Sequence, residues 1–173
     1  MLILAVCGSL QQKSGNLALL QQAVSLAPAG VEVRLSDDLR ALPHFDPDLE
    51  QHGQLAQVAR WRNAVAESAA LLIACPEYGH SLPGALKNGI DWLIGSGELE
   101  RKVVAITASV NVAGRGERGL SALRQTLNAV SARIVGGAGV VRGPGFEADL
   151  TALLALLTAE ARKPDVPPTA EFF

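Results

Sequence analysis

The amino-acid sequence predicts an α/β fold of three layers, in which a doubly wound, five-stranded parallel sheet is covered by helices on both faces. Apolar runs alternate along the chain with segments whose apolar residues recur at helical spacing, in the order βαβαβαβαβα. Two of the runs, residues 2–7 and 69–75, are continuously apolar, as expected of strands buried on both faces of a parallel sheet. A length of 173 residues suits a single domain.

Each element is predicted from its own pattern of apolar residues and its own end signals. The predicted strands are residues 2–7, 31–35, 69–75, 102–108 and 134–141, and the predicted helices are residues 16–27, 55–67, 83–94, 120–131 and 148–162. Pro83 suits the first turn of a helix, and three glycines between Gly136 and Gly139 loosen the last strand. Residues 42–48 carry two prolines and two aspartates and are predicted to be loop. We expect one domain over residues 1–163 and a proline-rich tail over residues 164–173.

Charge and composition argue against several classes of partner. The formal net charge is -2, which gives no electrostatic reason to expect binding to nucleic acid or to an anionic membrane. No apolar run reaches the length of a membrane span, and the apolar start lacks the basic region of a secretory signal. Cys7 and Cys75 each lie inside an apolar run, which favours core packing over a redox thiol pair. We therefore expect a cytoplasmic protein.

The loop after the first strand, residues 8–16, carries hydroxyl, amide and glycine residues between a buried strand and the start of a helix. Backbone N–H groups at a helix N-terminus bind phosphate, and serine or asparagine side chains add donors. The simpler interpretation is that Ser14 or Asn16 caps the helix, and both interpretations can hold together. The loop is not a Walker phosphate loop, because Cys7 and Gln12 stand at the positions of its two glycines.

The loop after the third strand carries the most specific motif of the chain. Residues 76–92 read PEYGHSLPGALKNGIDW, and they follow Gly-Ser-Leu at residues 8–10 and Ser-Gly-Asn at residues 14–16. In this order and spacing, the motifs resemble the pattern of the NADPH-dependent FMN reductase family, which includes bacterial quinone, azo-dye and chromate reductases. The stretch LPHFDPDL at residues 42–49 is also similar to that family, and the resemblance extends over residues 1 to about 141.

The resemblance implies a flavodoxin-like fold with strand order 2-1-3-4-5 and a bound FMN at the carboxyl edge of the sheet. Within the site that it implies, Ser9, Ser14 and Asn16 hold the FMN phosphate, and residues 76–79 wrap the edge of the flavin ring, chiefly through backbone groups. The full set of implied cofactor-binding residues is Ser9, Gln11, Ser14, Asn16, Leu17, Pro76, Glu77, Tyr78, Gly79, Ser109 and Gly116.

The sequence departs from the family pattern at two places. Gln11 stands where the family usually has an arginine that contacts phosphate, and Gly79 with His80 replaces asparagine and a small or aromatic residue. His80 either faces solvent, which we favour, or donates to a quinone oxygen. Arg115 and Arg118 are the candidate contacts for the 2′-phosphate of NADPH, although solvated surface arginines are the commoner explanation.

The activity that the resemblance implies is that of an NAD(P)H:acceptor oxidoreductase. NADPH or NADH is the expected co-substrate, and quinones, azo compounds, flavins or oxidised metal ions are the expected acceptors, in a ping-pong hydride transfer through FMN. No catalytic side chain is expected, because the flavin N5 carries the chemistry. The family also implies a homodimer or homotetramer, with residues 86–94 near the dimer interface.

Two other functions stay open at this point. A flavodoxin-like electron carrier is disfavoured by the near-neutral charge and by an aromatic content of only 4%. A regulatory α/β domain without a cofactor is kept open by Gln11. Residues 114–119 match G-x-G-x-x-G, but no carboxylate follows about twenty residues later, so we interpret the match as accidental. His44 and His52 have no second histidine or cysteine at ligand spacing, and no metal site is predicted.

Overall fold

A computed structural model describes residues 1–51 and 55–164 of the chain. The strands are β1 (Leu2–Cys7), β2 (Glu32–Ser36), β3 (Ala70–Ala74), β4 (Val103–Val110) and β5 (Arg133–Val141). The helices are α1 (Gly15–Ser25), α2 (Pro47–Gln51), α3 (Ala56–Glu67), α4 (Gly84–Asp91), α5 (Glu117–Ala129) and α6 (Phe146–Ala161), with a 3₁₀ turn at Asp38–Arg40. All strands of the sheet are parallel, in the order β2-β1-β3-β4-β5, which confirms the predicted fold and strand order.

The register of the central strands decides where a ligand can bind. β1 and β3 pair in parallel so that Cys7 lies beside Ala74, and β3 pairs with β4 so that Ala74 lies beside Thr107. β1 and β3 therefore end at the same level, whereas β4 continues past them to Val110. Because parallel strands present their carboxyl ends at one edge, the loops after β1, β3 and β4 open side by side.

Two separate hydrophobic cores lie on the two faces of this sheet. One face packs against α3, α4 and α5, and the other packs against α1 and α6. Alternate residues of β3 serve the two cores: Leu71 and Ile73 face the first, and Leu72 faces the second. This two-sided burial explains why β1 and β3 are apolar throughout. No helix of the described part of the chain is long and apolar enough to cross a bilayer.

The last strand is irregular where its glycines cluster. The pairing of β4 with β5 shifts between Ile106 and Ala108, whose partners are Gly136 and Gly139. Gly136 and Gly137 have φ values of 69° and 114°, a conformation that glycine adopts without steric cost. The glycines thus permit a bulge in this edge strand.

The structure differs from the predicted elements mainly at their ends. α4 ends at Asp91, three residues before the predicted end, and is followed by turns. Residues 47 and 48 were predicted to be loop, but they begin α2, because Pro47 suits the first position of a helix. His52 and the tail after residue 164 lie outside the described residues.

A matched pair of substitutions in α6 tests this packing. Leu157 is fully buried in the second core, whereas its neighbour Leu156 is 43% exposed. We expect Leu157→Ala to lower the free energy of unfolding by about 2–5 kcal/mol, because it leaves a cavity. Leu156→Ala should change it by less than about 0.5 kcal/mol. Urea denaturation gives the free energy of unfolding of both variants. Equal losses of stability would contradict the assignment of Leu157 to the buried face of α6 and of Leu156 to its exposed face.

Candidate functional site

Two hydrogen bonds join the three loops at the carboxyl edge of the sheet. The Ser9 Oγ lies 3.2 Å from the Tyr78 hydroxyl, which links the loops after β1 and β3. The backbone N–H of Ser109 donates to Oδ1 of Asn16 at 2.9 Å, which links the end of β4 to the start of α1. The structure therefore brings together the three segments in which the sequence analysis placed its candidate residues.

The first turn of α1 is shaped to receive an anion. Ser14 is the N-cap residue, and its Oγ accepts a hydrogen bond from the Asn16 N–H at 3.2 Å. Other N–H groups of a first helical turn have no acceptor inside the helix, and they point toward the positive end of the helix dipole. The structure shows the cap at Ser14, and free N–H donors at the helix start leave phosphate binding as a prediction.

A cleft of about 540 Å³ opens beside this helix start, along the ends of β3 and β4. Six of the predicted site residues line it: Asn16, Pro76, Glu77, Ser109, Arg115 and Gly116. Ser9, Gln11 and Leu17 instead line a smaller hollow of about 130 Å³ on the other side of the β1 loop. The predicted residues are thus divided between two cavities, and five of them line neither: Ser14, Tyr78, Gly79, His80 and Arg118.

One polar atom in the cleft has no partner. The Ser109 Oγ is buried, and no group in the described part of the chain accepts from it or donates to it. A buried hydroxyl without a hydrogen bond is unfavourable, so such an atom commonly marks a place that a ligand or water completes. It lies close to α1, since a Cβ added at Gly15 would stand 3.2 Å from it. The donors around this point fit the phosphate and hydroxyl-bearing chain of FMN.

The loop after β3 forms a tight turn. Tyr78 and Ser81 exchange two backbone hydrogen bonds of 3.0 Å each. The residues between them, Gly79 and His80, both have positive φ, at 57° and 63°, which is the pattern of a type I′ turn. His80 is mostly exposed, in line with the solvent-facing interpretation of its side chain. Tyr78 is 52% exposed, and its hydroxyl lies beside the Ser9 Oγ.

Glu77 ties this turn to the start of α5. Its Oε1 lies 3.0 Å from Nδ1 of His80, and its Oε2 accepts from the backbone N–H groups of Arg118 at 3.1 Å and Gly119 at 3.3 Å. The hydrogen bond with His80 is the main reason why the pKa of Glu77 is lowered, and the two N–H groups lower it further. The carboxylate finds its partners within its own chain, and its charge is favourable at the N-terminus of a helix.

The glycines of the G-x-G-x-x-G match have local structural uses. Gly116 is the N-cap residue of α5, with a φ of 81°. Gly119 lies against the loop after β3, where an added Cβ would stand 3.0 Å from the Cα of Glu77. The backbone of α5 can therefore approach the site closely. Arg115 lines the cleft, whereas Arg118 contributes its backbone N–H to Glu77.

The two cysteines are buried free thiols. Burial raises the pKa of Cys7, and it raises the pKa of Cys75 to about 12. The Cys75 thiol points at the backbone carbonyl of Pro76, with 3.4 Å between Sγ and O. Since a thiolate is the reactive form, both side chains fit the core-packing interpretation.

Sequence analysis missed two polar residues of the cleft, Asn111 and Arg142. Both follow the carboxyl ends of strands, Asn111 after β4 and Arg142 after β5. Position alone could have indicated Arg142, because ligand-binding residues of doubly wound sheets lie at those ends. The candidate residues from the sequence all follow β1, β3 or β4, and none follows β5.

Known proteins are similar to this chain in sequence and in fold. The model of the NADPH-dependent FMN reductase family matches residues 1–146. A quinone reductase of Escherichia coli is 34% identical over 137 residues, which are 77% of this chain and 72% of that protein. An NAD(P)H-dependent FMN reductase of Pseudomonas aeruginosa is 40% identical over 90 residues, 52% of this chain. That match spans about half, 48%, of the Pseudomonas protein.

Solved structures with the same fold are more distant in sequence. The flavoenzyme FerB, an NAD(P)H:(acceptor) oxidoreductase from Paracoccus denitrificans, superposes with a TM-score of 0.78 at 23% identity, over 92% of this chain and 94% of FerB. The NADH:FMN oxidoreductase EMOB, in its apo form, superposes with a TM-score of 0.72 at 20% identity, over 96% and 91% of the two chains. These likenesses support the fold, and the family is established by the match over residues 1–146: the chain belongs to the NADPH-dependent FMN reductase family.

Proposed function

We propose that this protein is an NAD(P)H-dependent FMN oxidoreductase that reduces quinones, with azo compounds, flavins or oxidised metal ions as further acceptors. The observation that supports this most directly is the cleft in which the loops after β1, β3 and β4 meet around the unpartnered Ser109 Oγ. Family membership supplies the chemistry that such a cleft serves. FMN, when bound, would supply the redox chemistry, because it can take a hydride from the nicotinamide and pass the two electrons to the acceptor.

The protein's share of this reaction is to bind and to orient. The first turn of α1 would bind the FMN phosphate. The side-chain donors would be the hydroxyl groups of Ser9 and Ser14 and the Nδ2 group of Asn16. Asn16 can bind the phosphate and hold β4 at the same time, because Oδ1 accepts from the Ser109 N–H and Nδ2 stays available as a donor. The buried Ser109 hydroxyl would gain a partner in the same step. A site of this kind needs no charged base.

The flavin ring would lie along the backbone of residues 76–79. The turn that follows is fixed by the two Tyr78–Ser81 hydrogen bonds, and the Glu77 carboxylate anchors the loop to α5. Such a fixed edge would hold the ring without reorganisation when the substrates exchange. Gly116 and Gly119 allow the backbone of α5 to come near.

The two substrates would use one open face of the cleft in turn, which is the basis for ping-pong kinetics. Arg115 lies in the cleft wall and Arg118 at the start of α5, where a 2′-phosphate of NADPH would find a cation. His80 lies at the exposed turn, within reach of an acceptor that enters from solvent. We also propose a cytoplasmic homodimer or homotetramer, on the basis of the family resemblance and the reduced, buried thiols.

Steady-state turnover tests the proposed activity. Purified protein loaded with FMN should show a flavin spectrum and should oxidise NADPH or NADH continuously when a benzoquinone is added. Double-reciprocal plots at several quinone concentrations should be parallel. Free FMN at the same concentration is the control. Tight FMN binding without turnover would favour an electron carrier, and failure to bind FMN would favour a domain without a cofactor.

Asn16→Asp tests the placement of the phosphate. The aspartate keeps an oxygen for the Ser109 N–H, so the link to β4 should be preserved, but its charge repels a phosphate. We expect FMN affinity to fall at least tenfold, with little change for riboflavin, which lacks the phosphate. Fluorescence titration measures both dissociation constants. Unchanged FMN affinity in a folded variant would contradict this placement.

Glu77→Gln tests the anchoring of the loop after β3. Because His80 and two N–H groups lower the pKa of Glu77, the charged form is favoured in the folded state. Its contribution to stability is present above the ordinary carboxyl pKa of about 4.3 and is lost as the pH falls through the lowered value. At pH 7 we expect the variant to be less stable than the wild type, with faster amide exchange at Arg118 and Gly119. The difference should shrink toward pH 3.

The matched control is Glu67→Gln, at an exposed glutamate at the end of α3. It removes the same charge without removing an anchor. Urea denaturation at pH 7 and pH 3 gives the free energy of unfolding of the wild type and of both variants. A stability loss at Glu77 that is independent of pH, or equal to that at Glu67, would contradict the proposed anchoring.

A further inference from the structure

Arg142 lies where two clefts meet. It is the first residue after β5, and its backbone N–H donates to the carbonyl of Val110 at 2.8 Å, which fixes it beside the end of β4. The side chain lines the 540 Å³ cleft and also a neighbouring cleft of about 490 Å³ between α1 and the start of α6. Ser109 is the other residue that lines both clefts. Arg142 and Ser109 thus form the wall between the two clefts.

The guanidinium group of Arg142 reaches the start of α1. A Cβ added at Gly15 would stand 3.7 Å from one of its terminal nitrogens and 3.2 Å from the Ser109 Oγ. Gly15 is the first residue of α1, directly after the N-cap. Three favourable groups for an anion therefore gather at one point: a guanidinium group, a buried hydroxyl without a partner and a helix N-terminus.

The charge of Arg142 is not used elsewhere in the described part of the chain. No carboxylate there forms an ion pair with it, although Glu147 lines the neighbouring cleft. The other cations near the β1 loop are less suited. Lys13 does not line the 540 Å³ cleft, and the guanidinium of Arg40 donates to the carbonyl of Leu10.

We propose that Arg142 binds the phosphate of FMN and supplies the positive charge that the loop after β1 lacks at Gln11. The proposal rests on the proposed function, and it adds a residue from the loop after β5 to the site. A guanidinium group suits this task because it is always charged and presents paired N–H donors to phosphate oxygens. Since Arg142 is exposed, its charge stays hydrated until the ligand binds, and its replacement should not disturb folding.

The test compares FMN with riboflavin in Arg142→Gln. Flavin fluorescence titration gives the two dissociation constants for wild type and variant. We expect the variant to bind FMN at least tenfold more weakly, about 1.4 kcal/mol, and to bind riboflavin within twofold of wild type. FMN affinity should also depend less on salt in the variant than in the wild type, because one charge interaction is gone.

Arg34→Gln is the matched control, at an exposed arginine on β2 that pairs with Glu32 on the same strand. It changes the net charge equally and should leave FMN affinity unchanged. If both arginine variants lowered FMN affinity equally, the proposal would be overturned, because the effect would come from net charge alone. Equal weakening of FMN and riboflavin in Arg142→Gln would overturn it as well, because the effect would then be structural.

Two further outcomes separate this inference from the proposed function. If the wild type binds FMN and turns over NADPH while Arg142→Gln binds FMN equally well, the function stands and the inference falls. In that case, a raised KM for NADPH in the variant would assign Arg142 to the 2′-phosphate. If the wild type binds neither FMN nor riboflavin, the proposed function fails and the inference falls with it.

Discussion

The hydrogen bond from the Ser109 N–H to the Asn16 side chain is the contact on which the site depends. It joins the first turn of a helix to the end of a strand that lies 93 residues away in the sequence. Asn16 is buried, so the loss of this bond would leave both a backbone donor and a side-chain acceptor unsatisfied. Its buried position therefore fixes the distance between the phosphate end of the cleft and the part formed by β4.

The other end of the cleft is held by charge rather than by burial. The Glu77 carboxylate faces solvent on one side and accepts backbone N–H groups on the other, so its anchoring is sensitive to pH. Gly119 makes this arrangement possible, because a side chain there would meet the backbone of Glu77. The two ends differ accordingly: neutral hydrogen bonds fix the α1 end, and a helix N-terminus with an ionised group fixes the α5 end.

The parts of the structure that depend on local patterns could be predicted from the sequence. Continuous apolar runs indicated β1 and β3, and a helix cap at Ser14 or Asn16 followed from the polar residues before a helical pattern. Contacts between distant segments could not be predicted in this way. The Glu77 bonds to α5 join residues more than 40 positions apart, and Arg142 reaches α1 only because β5 ends beside β4. No local spacing encodes either contact.

The glycines of β5 have a consequence for the outer edge of the sheet. An open parallel sheet exposes unpaired backbone groups along its last strand, and a flat, regular edge can template aggregation with other chains. The left-handed conformations at Gly136 and Gly137 break that regularity, and the resulting bulge twists the edge. A substitution that straightened β5 would leave a flatter edge open to other chains, and it would also move Arg142 relative to β4, because the register of the strand end depends on the bulge.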